Sequence, residues 1–409
     1  MVVENILKRN FRKKVLKNGM TLIFEKRDVP VVSVAYAFRN GGVNESAEEK
    51  GISHFIEHML YKGTPKRNAQ EIAIEIEKNG GAMNGFTDEE ITAYWCKMPS
   101  NKIDIALDVL TDMVKNPLFD VVELEKERKV IFEEMKMRRD NPITYVFDEI
   151  QRLLYKAPFG EPLIGTEKTM NSISRDKIHK KFKQIYTPNN TILCVVGNAD
   201  FDMVVNYLEK NFSSENGKVP EYKTELKNES KIEKRKGIDQ ANLIFAFHTP
   251  LAGDKLSYAA KVLSCLMAEG MSSRLFREIR EKRNLAYAVK GDANCNKRFG
   301  YNLIYIGTMK ENVQIVKKLI LEEFEKVVGG LKEEELDQIK EQLIGNYKIS
   351  MEDSQAQMAS LMISEIQGKA EDFYDFEKNI FNVKLKDVQN LAKKAIKEHS
   401  FLALIPENK

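Results

Sequence analysis

Histidine is scarce in this chain, five residues among 409. Two of them, His54 and His58, stand four apart with Glu57 between them and apolar residues around them. On an α-helix, residues at i, i+3 and i+4 share a face, with Cβ atoms about 5–6 Å apart. His54 and His58 can then aim at one ion, and Glu57 can reach the same point without joining it. A catalytic zinc takes three protein ligands and keeps a fourth position for water. The ion acidifies that water and polarises a carbonyl, while an adjacent carboxylate removes the proton. One helical turn supplies two of the ligands, so a third has to come from elsewhere.

The order H-x-x-E-H is the reverse of the commoner H-E-x-x-H and is the inverzincin arrangement. The stretch Val121 to Arg139 reads as a long acidic helix ending before Asp140-Asn141-Pro142. Glu127 and Glu134 lie two turns apart and share a face with Val130 and Ile131, so both carboxylates are candidates to point inward. Glu133 is the competitor, about 100° round the helix from Glu134. His179, His248 and His399 have no partner at ligand spacing.

These groups need a scaffold. Asn18-Gly19 between apolar runs signals a hairpin. Val31 to Phe38 alternates Val32, Val34, Tyr36 and Phe38 against Ser33, Ala35 and Ala37, a strand period. Ala82 to Thr87 and Thr92 to Cys96 read as two strands about an acidic turn. The hydrophobic content of 43% and charged content of 31% describe a globular chain. Its 409 residues exceed the ~250–300 that one core supports, so two domains or more are expected. The net charge of +3 does not favour nucleic acid. No apolar run approaches the ~18 residues of a membrane span. The basic lead-in, Met1 to Lys14, has no apolar stretch behind it and is not a secretory signal. Cys96, Cys194, Cys265 and Cys295 are scattered, which suits buried reduced thiols and a cytoplasmic protein.

From Ser213 to Gly237 the sequence is polar and charged, and beyond it the order of elements restarts. Ala241 to Phe247 echoes Val34 to Phe38. The expectation is an α+β protein of two similar domains, each a mostly antiparallel mixed sheet packed against helices. Residues 1–213 would form the metal-binding domain, 214–237 a linker, and 238–409 a second domain without the motif.

Five separated stretches together resemble the pitrilysin/insulinase family of zinc peptidases, and most closely its short members, similar to the mitochondrial processing peptidase and its bacterial relatives. They are His54–Met59 with Lys62-Gly63-Thr64; Asn84–Thr87 through Tyr94; Glu127–Glu134; Gly270–Phe276; and Arg280–Tyr287. The resemblance implies a metalloendopeptidase with one Zn²⁺ per chain, held by His54, His58 and Glu134. Glu57 is the implied base, and Glu127 the carboxylate that orients a ligand histidine. It implies that Asn84, Gly85 and Phe86 hold an extended peptide by main-chain pairing, and that Arg280 and Tyr287 stabilise the substrate carbonyl and oxyanion. It further implies a clamshell of which this chain is one half, hence a homodimer whose second domain completes the partner's site. Some members of the family have lost the motif and serve as non-catalytic or partner-dependent subunits; here every motif position is intact. Met267-Ala268-Glu269-Gly270 carries fewer glycines than the corresponding loop of family members.

Overall fold

The Asn18-Gly19 turn forms as its sequence promises. Gly19 takes a φ of 87°, and the Asn18 side chain accepts from the Met20 N–H at 3.1 Å. This joins β1 (Phe11–Val15) to β2 (Thr21–Lys26) in an antiparallel pair. The structure, a computed structural model, describes residues 10–407. Most of the basic lead-in, including Lys8 and Arg9, lies outside the described residues.

The first sheet continues with β3 (Val31–Phe38), β4 (Ala82–Thr87), β5 (Thr92–Pro99) and β6 (Thr191–Gly197). Its order is β1-β2-β6-β3-β5-β4, antiparallel throughout except for the parallel β2–β6 pair. Both faces of β3 are buried. The larger residues meet the helix Ile103–Lys115, where Tyr36 Oη and Thr111 Oγ1 lie 2.8 Å apart. On the other face, small residues let the helix Ser354–Gln367 come close, and Ser33 Oγ lies 2.9 Å from Ser354 Oγ.

The second sheet contains β7 (Ser230–Arg235), β8 (Ala241–His248), β9 (Ala286–Cys295), β10 (Gly300–Thr308) and β11 (Ser400–Pro406). Its order is β7-β11-β8-β10-β9, with one parallel pair, β7–β11. Strand for strand this repeats β2-β6-β3-β5-β4 of the first sheet. The parallel pair stands at the same place, and β8 occupies the position of β3. The expected duplication is therefore present as a topology, although little of it survives residue by residue.

Two compact units result, and neither is continuous in sequence. Among the described residues the first holds 10–134, 163–223 and 350–374; the second holds 135–162, 224–349 and 375–407. The division expected at 213 and 238 does not follow these units. Each sheet buries both faces, and each covers its second face with a helix from the other half of the sequence. The first unit takes Ser354–Gln367 in this way, and the second takes Pro142–Leu154, which packs on β8 and β11. Part of the expected linker is strand β7.

A buried acid fastens Ser354–Gln367 to its sheet. Glu25 on β2 is fully buried and accepts from Arg27 Nε at 2.7 Å, from Gln357 Nε2 at 2.8 Å and from the Tyr374 hydroxyl. Removing one partner of such a cluster leaves the others desolvated and unpaired. Glu25→Ala is expected to lower unfolding stability by about 3–5 kcal/mol in urea titrations.

Candidate metal centre

The helix Ile52–Leu60 starts where the backbone takes a left-handed turn, at Gly51 with φ 92°. A side chain there would meet Met170 Cε at 2.5 Å and the Ile164 carbonyl at 2.6 Å, so glycine is required on two counts. The helix N-terminus is capped from a distance by the buried Glu45. Its oxygens accept from the Gly51 N–H at 2.9 Å and the Ser53 N–H at 2.8 Å. A carboxylate at this end also opposes the positive pole of the helix dipole. Ile52, Phe55, Ile56, Met59 and Leu60 are buried, which fixes the direction of the face bearing His54, Glu57 and His58.

The acidic helix Val121–Asp140 buries Leu124, Glu127, Arg128 and Ile131, an i, i+3, i+4, i+7 stripe. Glu134 continues that stripe. Val130 does not; placed with Ile131 in the sequence reading, it is 48% exposed because it falls off the stripe by one residue. Arg128 ties this helix to its surroundings. Its Nη2 donates to the Ile173 carbonyl at 2.8 Å, and its guanidinium lies 5.2 Å from the centre of the Phe55 ring.

The two helices bring His54, His58 and Glu134 together. His54 Nε2 and His58 Nε2 stand 3.6 and 3.8 Å from Glu134 Oε2, and the donor atoms of all three lie within 4.8 Å of one another. Ligand atoms in tetrahedral zinc sites, with bonds of about 2.0–2.2 Å, are spaced roughly 3.3–3.5 Å apart. The three residues thus fit a zinc ion in donor type and in spacing. Glu133 has no place in the cluster.

Glu127 stands behind the ligands. Its Oε2 meets His58 Nδ1 at 3.0 Å, and its Oε1 takes an ion pair from Lys62 Nζ at 2.6 Å. With a proton held on Nδ1, the Nε2 lone pair of His58 is free to face Glu134 and the ion site. Burial works to raise the Glu127 carboxyl pKa, but the His58 and Lys62 contacts outweigh it and hold the group below its usual range.

Glu57 has the opposite bias. Burial raises its pKa above the ordinary glutamate value; the hydrogen bond from Thr87 and the nearby His58 oppose this, and the Glu134 charge adds to it. Thr87 Oγ1 donates to Glu57 Oε2 at 2.7 Å. Thr87 ends β4, the edge strand of the first sheet, which also carries Asn84, Gly85 and Phe86. At that edge the Gly85 N–H donates to the side-chain oxygen of Asn84 at 2.8 Å.

Arg280 and Tyr287 belong to the second unit and lie side by side. Arg280 stands on the π-helical turn Phe276–Glu281. Its guanidinium is 4.7 Å from the Phe276 ring centre and 5.1 Å from that of Tyr287. Tyr287 is 77% exposed, so it is no core residue.

Comparison with known proteins agrees with this geometry. The model for "Insulinase (Peptidase family M16)" matches residues 21–167, and that for "Peptidase M16 inactive domain" matches residues 172–343. An uncharacterized zinc protease of Bacillus subtilis is 33% identical over 95% of this chain and 96% of its own. The chain belongs to the insulinase (M16) peptidase family. An uncharacterized zinc protease of Rickettsia felis is 32% identical, over 98% of this chain and 99% of its own. In fold, the chain is similar to a protease from Helicobacter pylori, with a TM-score of 0.89 at 24% identity over 97% of this chain and 99% of that one. A peptidase M16 inactive domain from Pseudomonas fluorescens gives 0.85 at 19% identity, over 98% and 99%. The "inactive" description falls on the half without the H-x-x-E-H.

Three contributors escaped the sequence reading. Lys62 and Thr87 were noted only as parts of motifs, and Glu45 not at all. Period 2 along β4 could have placed Thr87 and Gly85 on one face; no local pattern marks Glu45 as a cap six residues upstream of Gly51. The Glu127 link yields a direct expectation. Glu127→Gln is expected to weaken zinc binding about 10–100-fold in competition titrations against a chelator.

Proposed function

We propose that this chain is a zinc metalloendopeptidase acting on peptides or unfolded segments, with His54, His58 and Glu134 as ligands and Glu57 as the base. The observation that carries the reading is the conjunction of three converging donors, a half-buried carboxylate beside them, and a strand edge next to that carboxylate that is unpaired among the described residues. A bound zinc would polarise the scissile carbonyl and acidify the attacking water. Glu57 takes the proton from that water and later delivers it to the leaving amine. Burial raises its pKa above the ordinary glutamate value, which makes it a stronger base than an exposed carboxylate. Thr87 holds the carboxylate in place meanwhile. The edge of β4 pairs with the substrate main chain, with a substrate carbonyl displacing the Asn84 side chain from the Gly85 N–H. Recognition through main-chain groups demands an extended peptide and little of its sequence.

Arg280 and Tyr287 supply charge and a phenolic donor for the carbonyl oxygen as it becomes anionic. We place them in the active site of a second copy of the chain, which makes the working enzyme a homodimer. The exposure of Tyr287 supports this, since an accessible phenol beside a guanidinium is ready for an external acceptor. A non-catalytic or partner-dependent subunit is the rival reading, and the same experiments decide between them.

With a quenched fluorescent peptide, the zinc-loaded protein is expected to cleave and Glu57→Gln to lose about 10²–10⁴-fold in kcat. Chelation should abolish turnover and zinc should restore it. A wild type that stays inert when zinc-loaded sinks the catalytic reading. The dimer is tested by mixing. Glu57→Gln and Tyr287→Phe chains, each impaired alone, are expected to regain activity when unfolded and refolded together, because one hybrid site then carries both intact residues. No gain on mixing sinks the shared site.

A further inference from the structure

On the histidine helix the functional stripe runs one turn further than the motif. His54, Glu57, His58 and Tyr61 stand at i, i+3, i+4 and i+7, and Tyr61 caps the helix at its C-terminal end. Glu57 meets Thr87 on β4. Tyr61 meets Gly85, two residues back along the same strand. Four residues of helix advance about 6 Å, and two residues of strand about 6.6 Å, so the two contacts match in spacing. Helix and edge strand touch at two points in register.

The second point is unusually close. A Cβ on Gly85 would lie 2.6 Å from Tyr61 Oη, 3.0 Å from the Ala93 carbonyl and 3.3 Å from Tyr94 Cδ1. The tyrosine hydroxyl therefore occupies the place that a side chain at 85 would need. The Tyr61 ring packs beside that of Tyr94, which is fully buried, with the ring centres 6.0 Å apart. Tyr94 is held in turn, its hydroxyl 2.7 Å from that of Tyr186, whose ring packs 4.0 Å from Phe38 and is stacked 4.5 Å from Phe182. The Tyr61 hydroxyl itself is buried with no hydrogen-bond partner. An unpaired buried hydroxyl is costly, and phenylalanine would fill the ring space without it. Such groups in native proteins call for an explanation beyond stability.

We propose that Tyr61 is a positioning residue, and that its hydroxyl and the bare Cα of Gly85 form a size-matched seat that sets the edge strand, and so any peptide paired to it, at a fixed depth over Glu57 and the metal ligands. The proposal rests on the peptidase reading, because it concerns where the scissile bond comes to lie. Neither residue performs chemistry. The seat sets a distance, and a misplacement of about 1 Å in a positioned substrate costs about 10²-fold in rate.

The test is a double-mutant cycle on the full-length zinc-loaded protein. Gly85→Ala drives a methyl group against Tyr61 Oη and lifts the strand; kcat/KM is expected to fall about 100-fold. Tyr61→Phe leaves a gap of one oxygen and is expected to cost on the order of threefold. The double variant should be markedly more active than Gly85→Ala, because removing the hydroxyl makes room for the methyl. Binding of a fluorescently labelled peptide, measured by anisotropy on the Glu57→Gln background, should follow the same order. Zinc content and thermal midpoint are measured for every variant. If Gly85→Ala does not fold, recovery of folding and activity in the double variant supports the seat, and failure to recover overturns it. A Gly85→Ala protein as active as wild type, or losses that simply add, also overturns it while leaving the peptidase reading intact. If the wild type cleaves nothing, the peptidase reading falls, and the binding series alone then judges the seat.

Discussion

A carboxylate taken out of water must be matched by donors, and the metal centre turns on how Glu127 is matched. It is buried on the inward stripe of the acidic helix and reaches His58 Nδ1 with one oxygen and Lys62 Nζ with the other. Those two partners lie on either side of the end of the histidine helix. The carboxylate thus fixes the rotation of one helix against the other and holds the His58 ring by its Nδ1. Arg128, one residue on, joins the same pair of helices through the Phe55 ring and ties the acidic helix to the Ile173 carbonyl. Glu134 arrives opposite the two Nε2 atoms because it is two turns beyond Glu127 on a helix whose position is already determined.

The two glutamates that flank His58 in space are pushed in opposite directions by their surroundings. Glu127 has two cationic or donor partners and is held ionised, below the usual carboxyl range. Glu57 is half-buried near another carboxylate, has one hydroxyl donor and is raised, chiefly by loss of solvent. When environments separate the pKa values of like groups, the roles separate with them. The lowered group is a lasting negative charge against His58 and Lys62, and the raised one takes up a proton more readily than an ordinary glutamate. The contrast arises from burial, which raises Glu57 against the opposing Thr87 hydrogen bond but is outweighed at Glu127 by the His58 and Lys62 contacts.

Periodic patterns made much of this legible in the sequence. A helical i, i+4 spacing is enough to converge His54 and His58, and Asn18-Gly19 is enough to turn a hairpin. Two turns of helix carry Glu127 and Glu134 to one side. What stayed hidden depends on contacts between distant segments. The small residues Ser33, Ala35 and Ala37 read as the minor face of a strand, yet they receive a helix more than three hundred residues away in sequence. Nothing local announces that recruitment, so a boundary drawn from composition at 213–237 misses the exchange of helices. Val130 failed for a different reason. A one-residue step is 100° on a helix, which is enough to turn an apolar residue from the interior to the surface. Glu45 was invisible because capping by a distant side chain has no sequence signature of the kind that an adjacent Ser, Thr, Asp or Asn provides.

The duplicated topology explains how one fold can present two complementary kinds of chemistry. β4 and β9 are equivalent edge strands, each hydrogen-bonded on one side only within its sheet. The loop before β4 carries the histidine helix, and the facing side of β4 supplies Thr87 and the bare Gly85 to it. The corresponding loop before β9 carries no ligands; it ends in the π-helical turn that sets Arg280 against Tyr287. A π-turn widens the helix and re-aims its side chains relative to an α-helical turn. Here it sets a half-buried cation beside an exposed phenol at a strand edge. The first copy of the fold therefore gathers half-buried charged groups around a point where an ion fits, and the second sets an exposed phenol beside a half-buried guanidinium. The two halves differ most at the same structural position, the connection leading into the edge strand, while their sheets share a five-strand order.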